Sequence, residues 1–150
     1  MYAEPAVLTI IDTNIMVPAI YFSTPIAHFL EVGNIVLVWN QFILDEYTDV
    51  INRPDIAKMG QKAGVKPMEA LERLEPFILF GKKVGEMPSS FPPVSRDRKD
   101  DPFLFAAHQV GAEFIISDDH HMTDLGSYQG IPIGVPGKFF EWVKKTHPMK

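Results

Sequence analysis

The chain has 150 residues, no cysteine and a formal net charge of -5. The missing cysteines exclude a disulfide framework and any thiolate metal site, so a bound metal must be held by Asp, Glu, Asn or His. The acidic balance argues against broad coating of nucleic acid, although acids gathered in one site and neutralised by cations do not repel a substrate.

Such a length predicts one domain over 1–150, long enough to bury a core without staples. Met1 to Pro5 carries no basic leader, and no apolar run is long enough to span a bilayer, so the expectation is a soluble cytoplasmic protein with no membrane role.

Val7-Leu8-Thr9-Ile10-Ile11 is a mostly β-branched run that stops at Asp12-Thr13-Asn14. A short apolar run without alternation predicts a strand buried on both faces, here over Leu8 to Ile11. An acid at the carboxyl end of such a strand lies where open α/β sheets place their ligands. Asp12 capping the following helix is the plain structural alternative.

Thr24-Pro25 predicts a helix start, with Gly33 as its stop. Ile35 to Trp39 reads as a second buried strand, and Asn40 as the cap of a helix from Gln41 to about Asn52. Pro67 to Phe80 predicts a further helix, with Leu71, Leu74, Phe77 and Ile78 on one stripe. A Pro/Ser loop spans Glu86 to Lys99, where Asp97 and Asp100 read as solvated loop acids.

Asp101-Pro102 opens a helix that runs to Val110 and closes at Gly111. Phe114 to Ile116 predicts a third strand, followed by Ser117-Asp118-Asp119. Ile131-Pro132-Ile133 reads as a short fourth strand at an edge, given its proline. Pro136 starts a last helix with Phe139, Phe140 and Val143 inward. Strands alternating with helices imply an α/β three-layer sandwich: a mostly parallel central sheet of four to five strands, covered by helices on both faces.

Four acids then stand out. Glu46 falls on the inward stripe of its helix with Ile43, Tyr47, Val50 and Ile51, while Asp45 and Asp49 point to water. A carboxylate on a buried stripe must be ion-paired or metal-bound. Asp101 before Pro102 fits an N-cap as well as a ligand, and it can serve as both. Asp118 and Asp119 repeat the placing of Asp12 at a second strand end, which predicts one cleft at the carboxyl edge of the sheet. His121 follows closely; it lines that site or lies at the surface.

Oxygen donors without cysteine or paired histidines select hard cations, Mg²⁺ or Mn²⁺. Four carboxylates in one cleft raise each other's pKa and need such cations to stay ionised.

Ile11-Asp12-Thr13-Asn14, Leu44-Asp45-Glu46-Tyr47, Asp100-Asp101-Pro102-Phe103-Leu104 and Ile116-Ser117-Asp118-Asp119 together resemble the PIN domain family, in the branch classed as toxins of toxin–antitoxin pairs (VapC-like ribonucleases). The resemblance implies a ribonuclease that cleaves RNA phosphodiester bonds with one or two Mg²⁺ or Mn²⁺ ions. It implies Asp12, Glu46, Asp101 and Asp119 as the catalytic, metal-holding acids, with Asn14 orienting Asp12 or touching substrate and Ser117 supporting by hydrogen bond. Asp118 stands where a small or polar residue is usual, and His121 where a second acid commonly follows. An antitoxin partner and a homodimer are implied as well. The alternative is a PIN-fold module that binds RNA or protein without cutting.

An aspartyl phosphatase would want an acid where Asn14 stands, and a receiver domain a lysine near Ile131–Gly134. No Gly-rich phosphate loop is present.

Overall fold

The computed structural model describes residues 6–148; the leader region read from Met1 to Pro5 lies outside them. The chain runs β1 (Val7–Ile11), α1 (Thr13–Phe22), α2 (Pro25–Glu31), β2 (Ile35–Trp39), α3 (Gln41–Ile51), α4 (Pro54–Lys62) and α5 (Pro67–Leu79). It continues through β3 (Lys82–Lys83), α6 (Asp101–Val110), β4 (Phe114–Ile116), α7 (His120–Thr123), β5 (Ser127–Tyr128), β6 (Ile131–Gly134) and α8 (Pro136–Thr146).

The sheet order is β3-β2-β1-β4-β6-β5, and every pairing is parallel except β5 with β6. This is the expected three-layer α/β architecture. The sheet has six strands rather than four to five, because two-residue strands β3 and β5 extend its edges. β5 also moves β6 inward: Pro132, read as an edge signal, instead sits opposite Ser127 in an antiparallel pair.

The central strands are apolar because both faces are covered. Ile10, Ile11, Val38, Ile115 and Ile116 are fully buried, which is what an uninterrupted β-branched run requires. Helix α6 packs on β1 and β2, and α8 on β4 and β6. Phe29 of α2 meets Phe139 and Phe140 of α8 edge-on, at ring separations of 6.2 and 5.0 Å.

Three helices had no counterpart in the sequence reading: α1, α4 and the four-residue α7. In α1, Pro18 sits inside the helix and apolar residues face almost every direction, so no single stripe shows. Buried Met16, Val17, Ala19, Ile20 and Tyr21 explain that composition, since a helix apolar all round belongs in the core. α4 starts at Pro54 and fully buries only Gly60, with Ile56 half-buried against the core, so its apolar face is narrow. Gly60 is nevertheless fixed by packing: a Cβ there would lie 2.3 Å from the Tyr21 ring.

The topology brings the carboxyl ends of β1 and β4 side by side. Ile11 registers with Ile116, and the Asp12 amide donates to the Ile116 carbonyl at 2.9 Å.

Candidate active site

Asp12 ends β1 and caps α1, its Oδ1 accepting the Thr13 amide at 2.8 Å. Its Oδ2 accepts the Ser117 hydroxyl at 2.7 Å. The cap is therefore real, but it does not exhaust the carboxylate, which lies buried beside other acids. Burial pushes Asp12 up to about 6, and Glu46 and Asp119 add to the rise, against the two hydrogen bonds that lower it.

Glu46 is held from α1. The buried Thr13 hydroxyl donates to Glu46 Oε2 in a short hydrogen bond. One residue on, Tyr47 is fully buried and donates to the Ile11 carbonyl, so α3 is pinned to the end of β1. Burial, then Asp12 and Glu46, raise the Tyr47 phenol well above its ordinary value. Glu46 itself is half-buried, and its charge is felt at Asp12.

The third acid is a correction. Asp101 is completely buried, but its carboxylate accepts the Ser95 amide at 2.8 Å and the Val94 amide at 3.3 Å, and pairs with Arg98 at 3.0 Å. It braces the 94–98 loop instead of facing the other acids. Its place falls to Asp100, read as solvated but in fact buried. Burial pushes Asp100 up to about 7, with Asp119, Asp12 and Asp97 raising it further and the Ser95 hydroxyl lowering it.

The sequence held the signal. Asp100, Phe103, Leu104 and Ala107 share one helical stripe, and those three apolar residues are buried, the same argument that picked out Glu46. Asp97, also read as solvated, is half-buried and lies with Asp100 and His121 in a group whose ligand atoms are all within 4.8 Å of one another.

At the end of β4, Ser117 is fully buried and its hydroxyl accepts the Asp119 amide at 3.0 Å. Asp119 caps α7, its Oδ1 accepting the His121 amide at 2.9 Å. Asp118 is exposed, which makes Asp119 the inward member of the pair; Asn14 is exposed on the first turn of α1. His121 turns toward the acids, with Nδ1 at 3.7 Å from Asp119 Oδ1 and 4.0 Å from Asp100 Oδ2.

A family model described as "PIN domain" matches residues 9–121. The chain belongs to the PIN domain family. Among solved structures it is similar to PAE2754 from Pyrobaculum aerophilum, with a TM-score of 0.56 over 91% of this chain and 89% of that one. Sequence identity there is 13%, so the likeness is one of fold. No curated protein matches the chain.

PIN domains are generally nucleases and usually use divalent metal ions. The matched span of this PIN domain contains every member of the cluster, from Asp12 to His121. Among the described residues, no lysine or arginine pairs with Asp12, Glu46, Asp100 or Asp119: Arg98 is committed to Asp101 and Arg96 to the surface acid Asp124. A group of carboxylates that raise each other's pKa, with no protein cation among them, has the donor chemistry of a divalent-metal site.

Proposed function

We propose that this PIN domain is a metal-dependent ribonuclease, with Asp12, Glu46, Asp100 and Asp119 holding one or two Mg²⁺ or Mn²⁺ ions. One observation carries the reading: Asp12 and Asp100, from separate elements, are buried beside the half-buried Asp119 and Glu46, and no cationic side chain among the described residues pairs with any of the four. Burying like charges is costly unless a cation joins them.

When bound, a divalent ion supplies a water of lowered pKa and polarises the scissile phosphate. The protein's share is positioning. Ser117 orients Asp12 and the Asp119 turn, and Thr13 holds Glu46. Asn14, exposed one residue from Thr13, and the exposed Lys99, next to Asp100, would contact the RNA backbone.

The same reading makes the chain the toxin of a toxin–antitoxin pair, a homodimer whose cleft an antitoxin blocks. It is supported by a small apolar hollow of about 90 Å³ beside Asn14, rimmed by the exposed Phe22 and Met59. Exposed apolar surface next to a polar cleft suits a partner that covers both.

The test is cleavage of a short single-stranded RNA, with a DNA of the same sequence as comparator. Cutting of RNA that needs Mg²⁺ or Mn²⁺, stops with EDTA and is lost in Asp100→Asn supports the reading. RNA bound but left intact with every divalent ion would make the chain a binding module instead.

A further inference from the structure

His121 contains a contradiction. The outer part of its ring is exposed, yet Nδ1 is buried and has no hydrogen-bond partner. Leaving a buried ring nitrogen unsatisfied is unfavourable, and native structures rarely do so without a reason.

The neighbours of that nitrogen are carboxylate oxygens at 3.7 Å (Asp119) and 4.0 Å (Asp100). Both separations are too long for a hydrogen bond. They do suit two ligands of one ion, since donors at roughly 2.0–2.2 Å from a metal lie about 3–4.4 Å from each other. A ring nitrogen of His121 also falls within 4.8 Å of ligand oxygens on both Asp97 and Asp100.

The ring and the acids are held in register by the same groups. The Ser95 hydroxyl lies 3.3 Å from Asp100 Oδ2 and 3.4 Å from the His121 carbonyl. The His121 amide is anchored on Asp119. Anchors shared between the ring's backbone and the acids lower the ordering cost of ligation.

Resting on the nuclease reading above, the geometry points to His121 Nδ1 as a metal ligand that joins Asp100 and Asp97 on the α6 side of the cleft, making one cation position a mixed nitrogen–oxygen site. Imidazole suits first-row transition ions, whereas Mg²⁺ takes oxygen donors. The site accordingly prefers Mn²⁺ to Mg²⁺, and the preference resides in one side chain.

The experiment loads the full chain with Mn²⁺ and records electron spin-echo modulation, using protein with natural and with ¹⁵N-labelled histidine. Nitrogen coupling that follows the label and vanishes in His121→Gln is the expected result. Calorimetry should show the Mn²⁺-over-Mg²⁺ preference falling by at least about tenfold in that variant, and His121→Asp should recover Mg²⁺ affinity through an oxygen donor. Bound Mn²⁺ with no nitrogen coupling, in protein that still cuts RNA, overturns this assignment and spares the nuclease. No divalent binding and no cleavage overturn both.

Discussion

The Ser117 hydroxyl donates to Asp12 Oδ2 at 2.7 Å and accepts the Asp119 amide at 3.0 Å. One buried side chain thus ties the end of β1 to the turn after β4. It also fixes the rotamer of Asp12, whose other oxygen is occupied by the Thr13 amide. Ser117→Ala leaves the strand pairing intact but releases both acids. Partners that orient metal ligands are worth about 10–100-fold in affinity, and leaving the Asp119 amide unpaired costs about 1–3 kcal/mol. Mn²⁺ calorimetry and urea unfolding should show both losses; wild-type affinity in the variant would remove Ser117 from the site.

Asp100 and Asp101 are neighbours with opposite duties, and their substitutions should separate cleanly. Asp100→Asn removes a carboxylate from the cluster and should abolish cation-dependent cleavage while the protein stays folded. Asp101→Ala strands the Ser95 and Val94 amides and the Arg98 guanidinium. Breaking a buried pair costs about 3–5 kcal/mol, discounted here because Arg98 is partly exposed. Thermal unfolding should drop by roughly 5–10 °C for a loss of about 2–3 kcal/mol. Equal stability of the two variants would contradict this division.

The fold was legible because its central strands are short, apolar and ended by acids, and because Gly111 closes α6 in the left-handed region the sequence suggested. What escaped had no periodic signature: α1, buried on most sides around Pro18, and β3 and β5, whose pairing depends on chain already folded. At the site, Asp12 and Ser117 follow the ends of β1 and β4, Asp119 caps α7, and Glu46 meets Thr13 from α3. Asp101 misled because Asp before Pro is a capping signal that draws the eye from the residue before it. Thr13 was missed as well, since a threonine on a first helical turn carries no sign of the acid it will hold.

Thr13 is 4% exposed and spends its hydroxyl on Glu46. Thr13→Val keeps the shape and removes the donor, so Glu46 loses its tether and the residue itself gains an apolar fit. We expect Mn²⁺ affinity to fall several-fold, within the roughly 10-fold lower range for outer-sphere partners, with unfolding stability within about 1.5 kcal/mol of wild type. Thr13→Ser should restore affinity. Failure of serine to rescue would mean that the methyl group, not the hydroxyl, matters at this position.

The cluster also sets how the metal-free protein responds to pH. Asp12 moves from 3.8 to about 6 on folding, and Asp100 from 3.8 to about 7. Between those limits the folded state binds more protons than the unfolded chain, so stability falls as pH rises. The contribution is whole below about pH 4 and gone above about pH 7. For Asp12, 5% exposed, the shift corresponds to a penalty of at most about 3 kcal/mol at neutral pH. In EDTA, wild type should therefore unfold at lower urea at pH 7.5 than at pH 5. Asp12→Asn should reduce that slope, leaving the part due to Asp100, and be the more stable protein at pH 7.5. Mn²⁺ at about 100 times its dissociation constant should return about 2.7 kcal/mol to wild type and much less to the variant. If wild type and Asp12→Asn show the same pH slope in EDTA, burial of a charged Asp12 is not what the cation relieves.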